Sequence, residues 1–509
     1  MFYVPLYIEA VRSRPVLVFW LATLAQAALW ILVPTAFYAA PPGVLPQVLA
    51  IGHEFPLRGD TGPPLAYWLA EIAFRVGGLI GVYLLSQACV IATYWCVFAL
   101  GRAIVGATHA VIAVLLMVGV SVFTVPTPDF GPPILTMALW AAALLHYWRA
   151  VMQGRRRSWY LLGVAAALIL LTSNAALILL GLLGLFTAAT ERGRASLRAI
   201  EPRIVAGALL PVLAVHLFWL ASASDSLAPV FERLRIAGTG EANTAAWLRL
   251  LVVLILAHAG IAILTVLASG RPRFRAGASP AIPRLPVDPF AVTFVTVFAL
   301  LPVLLTTTLA VLLGRPLAIG SAAPLLILSG LAVIIAAGDS FALYHQRVLG
   351  YAWAVLLIVP AIFVPIVLIV LPWTVGADLK VAQPAAAMGR FFAESFERRT
   401  GHPLAVVSGD VQTATLVALA APSRPSVYFD ADPARAPRVT IEEIRERGAV
   451  VVWPAASSDA APPPEIAAHF PGLIPEVPQT FARQVRGRLP PLRIGWGMIR
   501  PANAAAAAR

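Results

Sequence analysis

The sequence predicts a mainly α-helical, multi-pass membrane protein that carries a small α/β domain at its C-terminal end. Of the 509 residues, 60% are hydrophobic and only 12% are charged, whereas a soluble domain is nearer half apolar and a quarter charged. The apolar residues also collect into runs, and a helix needs about 20 such residues to cross a bilayer. This composition excludes a disordered chain, a collagen and a disulfide-stapled secreted scaffold.

About eleven apolar runs are predicted to span the membrane as helices. They are residues 15–38, 77–99, 103–125, 132–150, 158–172, 174–190, 204–222, 246–268, 289–313, 320–338 and 350–373. The fifth and sixth runs are short and are separated only by Thr172-Ser173-Asn174, so they form either a tight hairpin or one bent unit. The first run is predicted to be retained, because it is too long for the core of a cleavable signal peptide.

The placement of arginine predicts the orientation of these spans. With a cytoplasmic N-terminus, the inner side of residues 1–373 holds sixteen arginines and the outer side holds six, as the positive-inside rule requires. The net charge of +13 is therefore mainly a topology signal. Because the arginines are scattered among membrane loops, a nucleic-acid partner is not expected. We expect a bacterial inner-membrane protein in contact with membrane lipids.

An odd number of spans places the C-terminal part in the periplasm. We predict a transmembrane domain over residues 1–373, with a first outer loop at 39–76, and a periplasmic α/β domain over residues 374–500. Its predicted strands are 403–408, 426–429 and 449–453, and its predicted helices are 411–421 and 440–447. Thr440 is a predicted helix cap, and the alternation favours parallel strands. Residues 501–509 are predicted to be disordered.

The first outer loop is the strongest candidate for a functional segment. Long loops without a fold of their own tend to be functional, and this one combines ionisable side chains with an apolar, aromatic helix at Leu65–Phe74. Such a helix suits the membrane interface, where the phosphate of a lipid also lies. The alternative is a solvated loop with incidental charges. The ionisable and aromatic side chains of this loop include His53, Glu54, Arg58, Asp60, Tyr67, Trp68 and Arg75.

Two further positions are candidates outside that loop. Asp129 follows the third predicted span, where it is either a helix cap or an acid at the mouth of the membrane cavity. Arg315 lies in a short outer loop, where it either extends to the interface or pairs with a phosphate. The histidines inside apolar runs lack metal-ligand spacing, so neither a metal nor another cofactor is predicted. Nucleotide-binding and hydrolase motifs are also absent from the sequence.

These features together resemble a known family of membrane enzymes. The resemblance is carried by Pro63-Pro64-Leu65-x-x-Trp68-Leu69 in the outer loop, by Thr127-Pro128-Asp129, and by the short helical pair around Leu171-Thr172-Ser173-Asn174. A basic outer loop and an outer α/β tail follow. This order is similar to the polyprenol-dependent GT-C glycosyltransferases, in the group of family 39 and the lipid A aminoarabinose and galacturonosyl transferases. The similarity covers about residues 10–375 in architecture.

The resemblance implies a transferase that moves a sugar from a polyprenyl-phosphate carrier to a periplasmic lipid or polysaccharide acceptor. It implies acids that take or orient the acceptor proton and a basic group that stabilises the leaving phosphate. The implied catalytic acids are Glu54 or Asp60, the nearest substitutes for the first-loop acid that acts as base, and Asp129, the second acid that assists it. The implied substrate- and phosphate-binding residues are Arg58, Arg75, Arg315, Asn174, Trp68 and Tyr67.

The sequence also departs from the family at two positions. The first acid of the family usually lies further upstream, in the region that is Pro42–Val48 here and holds no acid. The family often has lysine where this chain has Asn174. Two alternatives therefore stand beside the transferase: a catalytically silent relative in envelope assembly, and a transporter or flippase of lipid-linked glycans. The lack of a sequence repeat and the near absence of ionisable residues at helix centres argue against the transporter.

Overall fold

The computed structural model describes residues 9–57, 62–222, 241–269, 286–312, 319–338, 346–429, 439–455, 461–471 and 473–502. The first helices are α1 (Pro15–Phe37), α2 (Leu45–His53), α3 (Leu65–Ile104), α4 (Ala107–Met117), α5 (Pro132–Val151), α6 (Arg156–Leu170), α7 (Ala175–Ala189), α8 (Glu191–Ser196) and α9 (Glu201–Ser222). They are followed by α10 (Glu241–Ala257), α11 (Ala259–Ser269), α12 (Pro289–Leu312), α13 (Ser329–Ala337) and α14 (Gln346–Thr374). The part of the predicted C-terminal tail beyond residue 502 lies outside the described residues.

The structure confirms a polytopic helical membrane protein with a small C-terminal sheet. Within the described ranges, α1, α3, α5, α9, α12 and α14 are long and apolar enough to cross a membrane, and α10 with α11 would be a seventh, bent span. In α9 and α14, only 11% and 17% of the apolar window is buried, as expected for helices that face lipid.

Among the described residues, fewer helices than the eleven predicted spans are long and apolar enough to cross a membrane. The runs at 103–125, 158–172, 174–190 and 320–338 are helical, but their helices α4, α6, α7 and α13 are shorter than a full span. In the last of these runs, the residues before α13 form a 3₁₀ helix, Ile319–Leu326, which contains Pro324, and proline does not continue an α-helix.

The chain divides into two compact units. The first consists of Met1–Leu32, Tyr83–Pro128 and Pro132–Ile362. Its core is rich in aromatic rings: Tyr147 stacks on Phe294, with ring centroids 5.9 Å apart. One buried polar pair lies in this unit, where Gln26 Nε2 donates to the Tyr94 hydroxyl at 3.0 Å. Such pairing offsets the cost of removing polar groups from water.

The second unit consists of Val33–Val82, Asp129–Gly131 and Phe363–Arg509. The predicted division of the chain at residue 373 stays a prediction, but this unit also includes most of the first predicted outer loop. Helix α3 is bent within this unit, because Gly77 and Gly78 have non-helical backbone angles, with φ of +59° at Gly78. Residues 65–76 therefore form a separate helical piece, where the sequence predicts an interfacial helix at Leu65–Phe74.

The C-terminal part of this unit is a five-stranded sheet with flanking helices. Its elements are α15 (Ala385–Thr400), β1 (Val406–Gly409), α16 (Val411–Ala420), β2 (Ser426–Phe429), α17 (Ile441–Arg447), β3 (Ala449–Pro454), α18 (Pro464–His469), β4 (Pro475–Phe481) and β5 (Leu492–Ile499). The strand order is β2-β1-β3-β5-β4. The strands β2, β1 and β3 are parallel, as the sequence predicts, whereas β4 and β5 add antiparallel pairs. The cap at Thr440 is confirmed, since its hydroxyl accepts from the Glu443 amide at 3.1 Å.

The end of β1 requires glycine. Gly409 has a φ of +114°, and a Cβ at this position would lie 1.9 Å from the Val452 carbonyl oxygen on β3. We therefore expect Gly409→Ala to lower the free energy of unfolding by about 1–3 kcal/mol through overpacking. Thermal unfolding of the purified protein in detergent measures this loss. The control is Gly181→Ala on α7, where a Cβ meets no atom within 4 Å; equal losses in both variants would contradict the prediction.

Candidate functional site

The candidate site is built around α2, a nine-residue helix that lies entirely in the second unit. Pro46 in its first turn suits a helix start, and its buried side chains pack against α16 and β2 of the C-terminal part. At Gly52 a Cβ would lie 2.4 Å from the Tyr67 carbonyl oxygen. This close backbone approach places α2 against the helical piece at 65–76.

Asp129 holds the N-terminal end of α2. Its Oδ1 accepts hydrogen bonds from the backbone amides of Val44 and Leu45, both at 2.9 Å, which have no partner within the helix. The sequence suggests Asp129 as an N-cap beside the start of the fourth predicted span, whereas in the structure its carboxylate caps α2, which lies far earlier in the chain. Oδ2 lies against Gly43, where a Cβ would approach it to 1.9 Å and φ is +54°.

Burial changes the acidity of this carboxyl. Removal from water disfavours the charged form and raises the pKa of Asp129 to about 7, although the two amide hydrogen bonds act in the opposite direction. Among the described residues, no hydrogen bond to Oδ2 is present. A carboxyl that titrates near neutral pH and keeps one oxygen available has the properties of a general base.

A cluster of four ionisable side chains lies at the other end of α2. We call His53, Glu71, Arg75 and Arg424 the Glu71 cluster. Glu71 Oε1 accepts from Arg75 Nε at 2.9 Å and faces His53 Nδ1 at 3.2 Å, while Oε2 accepts from Arg424 Nη2 at 2.8 Å. The Glu71 side chain is 2% exposed, so its charge is compensated by these partners rather than by water.

The two arginines of the cluster differ in exposure. Arg424 is mostly buried, lies 4.4 Å from the centre of the Phe74 ring, and has a pKa lowered by burial. Arg75 is 54% exposed and lies over the Phe55 ring at 4.9 Å. Only its Nε has a hydrogen-bond partner among the residues that the structure describes. The guanidinium of Arg75 therefore presents its two Nη groups as donors for an anion.

The remaining predicted residues lie in the second unit, in the first unit, or outside the described residues. Glu54 is half-buried at the C-terminal end of α2. Trp68 has a structural contact, because its Nε1 donates to the Pro56 carbonyl at 3.0 Å, and Tyr67 is buried beside α2. Asn174 is an exposed residue of the first unit that precedes α7. Arg58, Asp60 and Arg315 lie outside the described residues.

The sequence analysis missed the roles of Glu71 and Arg424. A signal existed for Glu71, because an acid in an apolar helix with arginine four residues later is typical of an ion pair. No local pattern distinguishes Arg424, which is 353 positions from Glu71. Within the described part of the chain, no group of three metal-ligating side chains is present.

Comparisons with known proteins agree with this architecture. Residues 61–219 match the family model described as dolichyl-phosphate-mannose-protein mannosyltransferase. The crystal structure of ArnT from Cupriavidus metallidurans bound to undecaprenyl phosphate aligns over 95% of this chain and 98% of its own, with a TM-score of 0.57 and 13% identity. The search of curated proteins found no match.

A weaker similarity involves the apo oligosaccharyltransferase of Archaeoglobus fulgidus. It covers 83% of this chain and 65% of that one, with 12% identity and a TM-score of 0.44. The family match and the ArnT alignment confirm the resemblance to GT-C glycosyltransferases, and the ArnT alignment establishes the fold.

Proposed function

We propose that this protein is a membrane glycosyltransferase that moves a sugar from a polyprenyl-phosphate carrier to a lipid or polysaccharide acceptor. The observation that carries the proposal is the pair of groups at the two ends of α2: a carboxyl with a pKa of about 7 at Asp129 and a half-exposed guanidinium at Arg75. The similarity to ArnT, whose crystal structure contains undecaprenyl phosphate, supports the choice of carrier.

The chemistry assigns a separate task to each group. The acceptor hydroxyl oxygen attacks the anomeric carbon of the sugar while its proton passes to the Asp129 carboxylate. The bond between the anomeric carbon and the phosphate oxygen breaks, and its electron pair stays on the phosphate. Arg75 stabilises the negative charge that develops on that phosphate. The outward-facing, periplasmic placement of this site follows from the arginine bias and stays a prediction.

The other implied residues keep supporting roles in the proposal. Glu54 and Asp60 are further candidate acids of the same loop, and Arg58 and Arg315 are further candidate phosphate partners. Tyr67 and Trp68 hold the loop by packing and by the bond to Pro56, and Asn174 is a candidate binding residue. Asp129 takes the role of the base because its burial and acidity fit that task.

A transfer assay tests the function directly. The full-length protein in lipid nanodiscs is incubated with a panel of polyprenyl-phosphate sugars and with envelope lipid and polysaccharide acceptors, and release of polyprenyl phosphate is measured. Release that depends on acceptor supports the proposal. If the carrier binds but no donor of the panel is consumed, the catalytically silent relative replaces it. Movement of intact carrier across proteoliposomes would instead favour the flippase.

A further inference from the structure

The exposed guanidinium of Arg75 is held on two sides. Its Nε donates to Glu71 Oε1 at 2.9 Å, and its plane lies over the Phe55 ring at 4.9 Å. An arginine with its face and its Nε occupied has little rotational freedom, so its Nη edge is presented in one direction. Preorganised donors bind an anion more tightly than mobile ones, because less conformational entropy is lost on binding.

The C-terminal sheet domain contributes to this arrangement through Arg424. This residue precedes β2, and its Nη2 donates to Glu71 Oε2, the oxygen that Arg75 does not use. The carboxylate of Glu71 is therefore fixed between two guanidinium groups. Without Arg424, Oε2 of Glu71 loses its partner, and the constraint that Glu71 places on the Arg75 side chain is weakened.

Backbone strain is concentrated at the same place. Among the non-glycine residues that the structure describes, positive φ is found at Phe55, with +48°, and at Arg424, with +50°. Phe55 stacks with Arg75, and Arg424 bonds to Glu71. Residues in this region of backbone space persist only where the surrounding contacts compensate for the strain, and such residues concentrate at functional sites.

The charges of the cluster leave an excess of positive charge. One carboxylate serves two guanidinium groups and one imidazole, so the cluster has a net charge of at least +1. The excess lies on the exposed member, Arg75, because Arg424 is 18% exposed and Glu71 is 2% exposed. An anion that approaches this cluster from solvent therefore meets Arg75 first.

We propose that Glu71 and Arg424 are positioning residues that orient Arg75 toward the phosphate of the lipid-linked donor. The C-terminal domain thereby takes part in donor recognition through one buried ion pair. This inference rests on the proposed function and deepens it, since it assigns the phosphate contact to Arg75 and its orientation to two residues that do not touch the donor. The chemistry recognised is a lipid phosphate group, which a polyprenyl carrier and a phospholipid headgroup both offer.

A double-mutant cycle tests this role. Donor KM and kcat are measured for the full-length wild type, Glu71→Gln, Arg75→Ala and the combined variant, and binding of undecaprenyl phosphate, phosphatidylglycerol and inorganic phosphate is measured in parallel. We expect Arg75→Ala to raise KM about 10-fold, the loss typical of a hydrogen bond to a charged group. Glu71→Gln should raise KM several-fold in the wild type and have no further effect when Arg75 is already alanine.

The matched control is a second pair with the same spacing. Glu443 and Arg447 on α17 form a partly exposed i,i+4 ion pair at 3.1 Å that is not assigned to the donor site, so Glu443→Gln should leave KM unchanged. Arg424→Lys should raise KM as Glu71→Gln does, because lysine keeps the charge but not the planar fork. Loss of undecaprenyl phosphate binding with unchanged phosphatidylglycerol binding identifies the carrier as the source of the phosphate.

The outcomes separate this inference from the proposed function. If the wild type consumes donor but Glu71→Gln raises KM equally in the presence and absence of Arg75, the role of Glu71 is structural and the positioning inference is wrong. Loss of phosphatidylglycerol binding in Arg75→Ala, with carrier binding intact, overturns it as well. If the wild type neither binds undecaprenyl phosphate nor consumes donor, the proposed function fails first.

Discussion

Asp129→Asn is expected to lower the transfer rate about 100- to 10,000-fold, the usual contribution of a general base. Asparagine retains an oxygen that accepts the amide hydrogen bonds of Val44 and Leu45, so the cap of α2 is preserved. The substitution removes the carboxylate that takes the acceptor proton. The transfer assay in nanodiscs, performed at saturating donor, measures the change in kcat.

The pH dependence gives this prediction a second readout. Because burial raises the pKa of Asp129 to about 7, only the upper part of the neutral range provides a fully ionised base. We expect the transfer rate of the wild type to rise with pH through about 7. The residual rate of Asp129→Asn should lack this rise, and a variant that keeps it would assign the titration to another group.

The stability of the protein should change in the opposite direction over the same range. The pKa of Asp129 is higher in the folded chain than its ordinary value of 3.8, so the folded state binds more protons between about pH 4 and 7. The free energy of unfolding contributed by this group therefore falls as the pH rises through that window. Thermal unfolding should show a flatter pH profile in Asp129→Asn.

The matched control is another capping aspartate in the same unit. Asp410 accepts from the Thr413 amide at 2.9 Å and caps α16, and it is not assigned to the chemistry. Asp410→Asn should therefore leave kcat close to that of the wild type. Equal losses of activity in the two variants would show that capping, rather than proton transfer, explains the effect at Asp129.

Glu71→Leu is expected to lower the free energy of unfolding by about 3–5 kcal/mol, because it leaves the mostly buried Arg424 without its carboxylate. Removing one member of a buried ion pair costs more than the pair contributes, since the remaining charge stays desolvated. Thermal and denaturant unfolding of the purified protein measure the loss. Glu443→Leu, which breaks the partly exposed pair on α17, should change stability by about 0.5 kcal/mol or less.

A compensating variant tests the cause of the loss of stability in Glu71→Leu. Adding Arg424→Met to Glu71→Leu removes the orphaned charge, and apolar replacement of a buried pair is often neutral. We expect the double variant to recover most of the stability lost in Glu71→Leu. If it is no more stable than the single variant, loss of packing rather than an unpaired charge is responsible.

The helices and strands that are determined by the composition of their own residues were predictable from the sequence. The apolar runs at 15–38 and 132–150 correspond closely to α1 and α5, because runs of this length and composition favour membrane helices regardless of their neighbours. The strand at 426–429 and the cap at Thr440 were predicted for similar reasons. The antiparallel strands β4 and β5 were missed, since β4 includes Pro475 and Pro478 and β5 includes Gly495 and Gly497, and both residue types are depleted in strands.

The candidate site was predictable only in part. The charges of the outer loop indicated a functional segment. The position of Asp129 after an apolar run indicated a candidate acid. The partner of Asp129 was not evident, because the amide of Val44 is 85 positions away. A backbone amide is also not a feature by which a sequence distinguishes one residue from another. Glu71 showed its i,i+4 relation to Arg75, but the same spacing is common on solvated helices.

The sequence by itself determined that this chain is a membrane protein, where most of its helices lie, and that a small α/β domain follows them. Local hydrophobic periodicity and turn chemistry are sufficient for those features. The tertiary structure alone decided that Asp129 caps α2 and that Arg424 reaches Glu71. Such contacts join residues far apart in the chain, and they depend on how packed surfaces meet rather than on any neighbouring residues.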